Sequence, residues 1–436
     1  MSRPNIVYVH AHDAGRYISP YGYDMPTPNM QKLAEQGVTF RKAFCAGPTC
    51  SASRAGLVTG RWAHSSGMIG LAHRGFRLND YKQHIAHTLK NAGYYTELIG
   101  FQHVGQDRSI LGYDRYDRPE HGDRYWGVIP RVREFFSQRY TPDKPFFLSI
   151  GVTDPHRDWV EDSAHADPRY VMPPAPLPDT PETRADYAGL KNRMKQFDLS
   201  VGTLMECLAE NGLEENTLVI CTTDHGLAFP QMKCNLTDHG IGVLLLMRGP
   251  GVFTGGKVLD GIVSQIDIFP TLCEWLDIDR PDWLQGVSFL PMARGAAGSV
   301  RKELFADVTY HAAYEPMRCV RTRRYKYIRR FDQRETPVLP NCDDSPTKTL
   351  FMAAGWDQRT PAMEQLYDLT LDPVEVNNLI DDPAYADVVK DLRSRLDRHM
   401  QETGDPLLNG PVPAPKGAQV NDVDGLSPQE PCITIE

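Results

Sequence analysis

Residues 5–13 read Asn-Ile-Val-Tyr-Val-His-Ala-His-Asp, an apolar run that ends directly in polar side chains able to bind a ligand. The unbroken run of apolar and β-branched residues predicts a buried strand over 5–9. Three later runs show the same organisation and predict further strands over 96–99, 146–152 and 217–222. The arrangement of these strands in the sheet therefore determines where the polar residues that follow them lie.

Helical patterns separate these strands, near residues 30–36, 83–92 and 184–211. This alternation predicts a mostly parallel sheet with helices on both faces. In such sheets, ligands bind beyond the carboxyl ends of the strands. We therefore expect the residues that follow the four strands to line one crevice, namely His10, His12, Asp13, Phe101, Gln102, His103, Asp154, His156, Asp224 and His225.

The pattern changes near residue 300 to shorter β-rich runs, which predict a smaller C-terminal α/β domain with a helix near 384–402. Basic and aromatic residues alternate over 318–328, and we interpret this segment as a half-solvated antiparallel strand rather than a binding surface. The predicted organisation is a large domain with the ligand crevice over 1–300, the smaller domain over 301–405, and an irregular tail over 406–436. We expect the tail to pack on the surface or to extend to a neighbouring subunit of a homo-oligomer.

The composition is that of a globular protein of 436 residues, with 41% hydrophobic residues and a net charge of −9. The chain has no basic tract that could follow a phosphate backbone, which argues against a nucleic-acid partner. The apolar stretch that begins at Ile6 is too short for a signal peptide or a membrane span, so we expect a cytoplasmic protein without a membrane partner. Nine cysteines without paired spacing argue against a disulfide framework or a structural zinc site.

One cysteine, Cys50, lies in an unusual setting. Residues 50–61 read Cys-Ser-Ala-Ser-Arg-Ala-Gly-Leu-Val-Thr-Gly-Arg and predict a helix that begins near the cysteine. A helix N-terminus and the Arg54 guanidinium would both lower the pKa of a thiol, which makes Cys50 a candidate nucleophile. An inert, buried cysteine is the alternative that the segment alone leaves open.

The 50–61 segment resembles the signature of the sulfatase family, in which Cys is followed by Pro or Ala two positions later, then by Ser-Arg and a terminal Leu-x-Thr-Gly-Arg. The opening strand with His12-Asp13, the Thr-Asp-His-Gly segment at 223–226 and the Leu-Tyr-Asp-Leu segment at 366–369 also resemble that family. Further segments are similar to its sulfamidase branch, namely residues 67–68, 103–105 and 154–156.

The resemblance implies a fold and an activity. The fold would be an alkaline-phosphatase-like α/β sandwich with a large, mostly parallel central sheet. The activity would be hydrolysis of a sulfate ester or sulfamate with release of inorganic sulfate, and the substrate would be a small sulfated molecule such as a sulfated sugar.

The resemblance also implies that a maturation enzyme oxidises Cys50 to formylglycine. The hydrated aldehyde would then attack sulfur with one hydroxyl, and the other hydroxyl would allow sulfate to be expelled. An unmodified cysteine has no such route. Ala52 stands where Pro is commoner in the family.

Carried over to this sequence, the metal site would hold one divalent ion with Asp13, Asp224, His225 and the modified Cys50. The family uses Ca²⁺ or Mg²⁺, whereas the imidazoles of His12 and His225 shift the preference toward Mn²⁺ or Zn²⁺. His12 replaces the first Asp of the family's pair, and it either binds the ion or orients Asp13.

The resemblance assigns four further residues to the reaction. Arg54 would orient the nucleophile and neutralise sulfate, and Lys233 would contact sulfate near the leaving oxygen. His156 would be the acid for the leaving group and His103 the partner at the nucleophile, although the sequence leaves an exchange of these two roles open. Phe101 stands where many sulfatases have a second lysine.

Other polar residues give weaker signals. We expect surface or packing roles for His64, His73, Arg74, His84 and His87, and we regard Asn235 and His239 as candidate substrate contacts. Two other functions remain open at this point. The same scaffold could hydrolyse phosphonate monoesters or phosphodiesters, or the chain could bind an anion without catalysis if Cys50 stays unmodified.

Overall fold

The computed structural model describes residues 3–159 and 166–436. Within these residues the strands are β1 Asn5–His10, β2 Val38–Phe44, β3 Tyr95–Gly100, β4 Arg115–Asp117, β5 Phe146–Gly151, β6 Thr217–Thr222, β7 Leu245–Arg248, β8 Lys257–Ser264, β9 Glu303–Tyr310, β10 Tyr314–Thr322, β11 Tyr325–Arg330, β12 Glu364–Asp368, β13 Gln419–Val420 and β14 Ile433–Thr434. The α-helices are α1 Pro28–Gln36, α2 Cys50–Thr59, α3 Ala63–Ser66, α4 Ile85–Asn91, α5 Tyr125–Glu134, α6 Pro181–Glu210, α7 Asp238–Ile241, α8 Ile268–Leu276, α9 Leu290–Ala293, α10 Pro346–Ala353 and α11 Ala386–Thr403. A π-helical turn over Phe135–Arg139 continues α5.

The central sheet has the order β4-β3-β5-β1-β6-β7-β2-β8, and all neighbouring strands in it are parallel except the two pairs made by β7. This confirms the predicted mostly parallel sheet and its four predicted strands. The centre of the sheet is buried on both faces, as β1 shows: Ile6 and Tyr8 enter one hydrophobic cluster, whereas Val7 and Val9 enter the other.

The helix that carries Cys50 is buried along its whole length. Every residue of α2 is buried, and the extended backbone of Thr49 leads directly into its first turn. The helix ends at Gly60, whose φ of 66° lies in the left-handed region, and a Cβ at this position would lie 2.5 Å from Leu284. Cys50 is therefore the first residue of a rigid helix in the protein interior.

The C-terminal part of the chain builds a second sheet, which is antiparallel and has the order β12-β11-β10-β9. Helix α11 packs on it through a small apolar cluster that includes Val320, Tyr327 and Leu396. The prediction of one half-solvated strand over 318–328 is wrong, because the structure has two strands there and most of their side chains are buried.

Acidic partners from distant parts of the chain explain this burial. Arg318 donates to both carboxylate oxygens of Asp405, and the Nζ of Lys326 lies 2.8 Å from a carboxylate oxygen of Glu375. Alternating basic residues thus mark buried ion pairs here and not a solvated face.

The C-terminal tail lies along the chain's own loops. Its strands β13 and β14 pair with each other, and the backbone N–H of Asn421 donates to the carbonyl of Ala312. Arg74 donates to the side chain of the same Asn421 at 2.6 Å. None of the helices in the described residues combines the length and the apolar composition that a membrane span requires.

The second sheet offers a matched test of burial. The Arg318 side chain is 2% exposed and the Arg324 side chain is 53% exposed, yet each is paired with one aspartate. We expect Arg318→Ala to lower the free energy of unfolding by about 3–5 kcal/mol, because it leaves the buried Asp405 carboxylate without its guanidinium partner. Arg324→Ala should lower it by about 1 kcal/mol or less, because the exposed Arg324 guanidinium is already solvated and its removal opens the Asp368 carboxylate to water. Denaturant unfolding of both variants measures the difference, and equal losses would contradict it.

Candidate active site

The carboxyl ends of β1 and β6 lie side by side and bring two acidic residues together. Asp13 follows β1 and Asp224 follows β6. The backbone N–H groups of Asp13 and His225 both donate to Oδ1 of Asp224, each at 2.9 Å. The backbone of Asp13 has a φ of 49°, which is rare for a non-glycine residue and is typical of strained functional positions.

Cys50 faces this pair from the start of α2. Its Sγ lies 3.3 Å from Nε2 of His225, and the same Nε2 lies 3.3 Å from Oδ1 of Asp13. The other ring nitrogen of His225, Nδ1, faces the carbonyl of Gly226 at 3.0 Å. Because a carbonyl only accepts, Nδ1 of His225 carries a proton, and Nε2 is directed toward Cys50 and Asp13.

Four buried side chains have the arrangement of a metal site. Ligand atoms of His12, Asp13, Cys50 and Asp224 all lie within 4.8 Å of one another. Nδ1 of His12 and Oδ1 of Asp13 are buried without a hydrogen-bond partner among the residues that the structure describes. Nitrogen and oxygen atoms that face each other in this way fit a divalent cation, which would satisfy them together.

The charge states of these groups also fit a cation. Burial alone would raise the pKa of Asp13, but Lys233 and two histidines outweigh it and hold the pKa well below its usual range. For Asp224, His225 and Arg54 outweigh burial in the same direction. Burial, assisted by Arg54, lowers the pKa of His12. At neutral pH the cluster therefore contains two carboxylates and a neutral imidazole with lone pairs to donate.

The expectation of a lowered thiol pKa at Cys50 is wrong. Burial raises the pKa well above its usual range, the carboxylates of Asp13 and Asp224 add to it, and the nearby Lys233 and Arg54 offset only part of the effect. At neutral pH an unmodified Cys50 is thus a protonated thiol and a poor nucleophile.

Arg54 points to Asp224 and to the backbone. Its Nη2 donates to Oδ2 of Asp224 at 3.0 Å and to the carbonyl of Ala11 at 2.8 Å. Its Nη1 lies 2.6 Å from Nδ1 of His10, the residue at the end of β1. The guanidinium therefore fixes Asp224 in place, and its Nε is buried with no hydrogen-bond partner in the described part of the chain.

Lys233 bridges two carboxylates at the opposite side of the cluster. Its Nζ lies 3.3 Å from Oδ2 of Asp13 and 2.9 Å from Oδ2 of Asp343. Burial would lower the pKa of Lys233, but the two carboxylates outweigh it and keep the amine charged. Lys233 outweighs burial at Asp343 in turn, and the pKa of that carboxyl is lowered to about 2.

The two predicted proton-transfer histidines differ in exposure and partners. The side chain of His156 is 37% exposed, with Nε2 3.9 Å from Oδ2 of Asp13. Its Nδ1 faces the carbonyl of Arg157 at 2.6 Å and so carries a proton, while Nε2 is directed toward Asp13.

His103 lies deeper, with a φ of 87° and Nε2 2.6 Å from Nδ1 of His73. Burial, followed by its neighbours His12 and His73, holds the pKa of His103 well below its usual range. His103 is therefore neutral at pH 7 and suited to accept a proton.

The structure brings the predicted site residues into one region, and they comprise His12, Asp13, Cys50, Arg54, His103, His156, Asp224, His225 and Lys233. The two weaker candidates differ from these. His239 is engaged by Tyr17 and by the carbonyl of Val374, and Asn235 donates to the carbonyl of Lys233. Their hydrogen bonds are to the protein itself.

Three neighbours of the site were missed by the sequence reasoning. His73, expected on the surface or in packing, contacts His103. Asp343 pairs with Lys233, and His311, in the turn after β9, has a buried Nδ1 without a hydrogen-bond partner in the described residues. Burial, followed by Lys233, holds the pKa of His311 well below its usual range. Asp343 and His311 lie in connections between the strands of the second sheet, and no local motif marks either of them.

Comparison with known proteins identifies the class. Residues 4–278 match the family model described as Sulfatase, and residues 232–352 match the one described as N-sulphoglucosamine sulphohydrolase, C-terminal. The chain belongs to the sulfatase family and is a sulfuric ester hydrolase.

Individual relatives cover nearly the whole chain. Human N-sulphoglucosamine sulphohydrolase is 30% identical over 94% of this chain and 92% of its own length. An ulvan-active sulfatase of Formosa agariphila is 28% identical over 98% of this chain and 86% of its own length. A solved structure, in complex with its substrate D-glucosamine-2-N,6-O-disulfate, superposes with a TM-score of 0.71 at 18% identity, covering 94% of this chain and 99% of that one. The alkaline-phosphatase-like fold is thereby confirmed.

Proposed function

We propose that this enzyme removes sulfate from a sulfated sugar by hydrolysing a sulfate ester or sulfamate, with a formylglycine at position 50 as the nucleophile. The observation that carries the proposal is the place of Cys50, at the start of a buried helix and within reach of two carboxylates and two imidazoles. In the modified residue, the hydrated aldehyde supplies a hydroxyl nucleophile and a way to release sulfate again. The relative that acts on N-sulphoglucosamine supports a sugar as the substrate.

One divalent ion would be held by residue 50 together with His12, Asp13, Asp224 and His225. His12 is included among these ligands because its Nδ1 lies 3.0 Å from Oδ2 of Asp224 and accepts a hydrogen bond from none of the described residues. When bound, the ion supplies positive charge for the sulfate oxygens and for the hydroxyl nucleophile. Two imidazoles beside two carboxylates favour Mn²⁺ or Zn²⁺ over Ca²⁺.

The remaining side chains divide the reaction between them. Arg54 holds Asp224, and Lys233 binds sulfate with its buried ammonium. His156, at the opening of the site, donates a proton from Nε2 to the departing alcohol or amine. His103, neutral and deeper in the site, accepts the proton of the nucleophile.

The cysteines support a reducing compartment. All nine are free thiols, and eight of them are buried. We therefore propose a cytoplasmic location, where disulfides are rare.

The reaction class and the metal are tested together. We expect release of inorganic sulfate from N-sulfoglucosamine to exceed hydrolysis of a phenylphosphonate monoester. Chelation should remove one divalent ion per chain and slow sulfate release by about a hundredfold or more. The reason is that the site then lacks the positive charge of the divalent ion between its two carboxylates. Elemental analysis and the sulfate assay give the two readouts.

Asp224→Asn should bind less of the ion than the wild type, as measured by elemental analysis of the purified protein. Full sulfate release in a verified metal-free sample would contradict the metal proposal. Faster turnover of the phosphonate would instead assign the enzyme to phosphonate or phosphodiester hydrolysis.

The roles of His156 and Lys233 predict different substrate dependence. A proton donor matters most when the leaving group is poor, so His156→Ala should lower kcat/KM on an alkyl sulfate or sulfamate by about 10²–10⁴-fold. On nitrophenyl sulfate, whose leaving group departs unaided, the loss should be about tenfold or less. Lys233→Ala should lower kcat/KM on both substrates to a similar degree, because both share the sulfate.

His121, an exposed histidine in the loop before α5, provides the control, and His121→Ala should leave both values of kcat/KM unchanged. Equal losses on the two substrates for His156→Ala would exclude it as the leaving-group acid. His103 would then take that role.

A further inference from the structure

The connection between β11 and β12 contributes a third carboxylate, Asp343, to the active site. The Nζ of Lys233 contacts a carboxylate oxygen of Asp343 and one of Asp13, so that the lysine links the two residues. His156 and His311 are the other titratable side chains whose fields act on Asp343 most strongly after these two. Nε2 of His156 lies 3.9 Å from Oδ2 of Asp13, the same oxygen that Lys233 contacts, so Asp343 lies near the place where His156 would release the leaving group.

Exposure separates Asp343 from the other two carboxylates. The side chains of Asp13 and Asp224 are 0% exposed, whereas that of Asp343 is 20% exposed. Asp13 and Asp224 can thus contact only groups inside the buried cluster. Asp343 is the carboxylate that can reach a bound substrate.

A carboxylate at this position lowers the affinity of the site for sulfate, which is a disadvantage if sulfate is the only group to be bound. Its negative charge repels a sulfate held by Lys233 and pairs with part of the lysine's charge. The site also has Phe101, packed 4.6 Å from the ring of His12, where a second lysine would add positive charge. An acidic group that weakens anion binding is expected where it recognises a hydrogen-bond donor or a cation on the substrate.

The segment around Asp343 is fixed before any substrate binds. The carbonyl of Cys342 accepts from Nζ of Lys348 at 2.8 Å, and the same Nζ donates to the carbonyl of Leu426 in the C-terminal tail at 2.7 Å. The side-chain amide of Asn341 donates to the carbonyl of Ala313 and accepts from the backbone N–H of Ala313. Such support by the surrounding structure is what a recognition group requires.

From these contacts we propose that Asp343 is a specificity-determining residue, which binds an amino or hydroxyl donor of the leaving sugar next to the bond that is cleaved. This inference rests on the proposed function and deepens it. It makes the enzyme selective for sulfated amino sugars over sulfated molecules that lack donors, because the latter leave the outer lone pairs of Asp343 without a partner and its charge next to the sulfate.

Binding of the two halves of the substrate tests the inference without turnover. Calorimetry measures the Kd of glucosamine and the Kd of inorganic sulfate for the wild type and for Asp343→Asn. We expect the variant to bind glucosamine about tenfold more weakly, since it loses a charged hydrogen bond. It should bind sulfate at least as tightly as the wild type, since like-charge repulsion is removed.

Asp24→Asn is the matched control, because the Asp24 carboxylate is likewise paired with a lysine, at 2.8 Å from Nζ of Lys191, and its side chain is 92% exposed. It should leave both Kd values unchanged, and Asp343→Glu, which keeps the charge, should retain part of the glucosamine affinity. Unchanged glucosamine binding with weaker sulfate binding in Asp343→Asn would show that Asp343 only positions Lys233. Glucosamine that does not bind the wild type would also overturn the inference.

The proposed function fails separately. If the wild type releases no sulfate from any sulfated sugar, the reaction is wrong whatever the two Kd values show. Thermal unfolding of each variant verifies that the compared proteins are folded.

Discussion

The active site depends on holding two buried carboxylates at the ends of two neighbouring parallel strands. Asp13 and Asp224 would repel each other strongly in a dry interior. The protein opposes this repulsion with one cation for each, Lys233 for Asp13 and Arg54 for Asp224, and with backbone N–H groups. Nδ1 of His12 and Oδ1 of Asp13 are among the buried atoms that still lack a hydrogen-bond partner within the described residues, and a divalent ion between them would satisfy both.

The same interior determines what the nucleophile can be. Burial next to two carboxylates raises the pKa of the Cys50 thiol, so that the unmodified side chain is unreactive at neutral pH. A neutral hydroxyl nucleophile suits this environment better, since it becomes charged only as it reacts. This environment is the physical reason for which we propose a modified residue at position 50, with His103 as the group that receives its proton.

Local patterns in the sequence were sufficient for the central sheet and for much of the site. Apolar runs predicted β1, β3, β5 and β6, and the rule that ligands bind at the carboxyl ends of parallel strands placed the polar residues after them together. The Cys50 segment added the nucleophile. These features depend on residues that are close in the sequence.

Features that depend on distant partners could not be predicted. The basic residues of 318–328 looked solvated because their acidic partners, Glu375 and Asp405, lie far along the chain. The predicted direction of the thiol pKa was wrong because the sequence does not show that Cys50 is fully buried beside Asp13 and Asp224, which outweighs the lowering by Arg54. Asp343 reaches Lys233 from a loop more than a hundred residues away, with no motif to mark it.

The most direct test of the central claim is mass spectrometry of the peptide that contains residue 50, combined with the rate of sulfate release. Preparations that differ in their fraction of formylglycine are compared at equal protein and metal concentration. The rate should rise in proportion to the formylglycine fraction and extrapolate to zero for the free thiol. A preparation with only free thiol at position 50 and full activity would contradict the account.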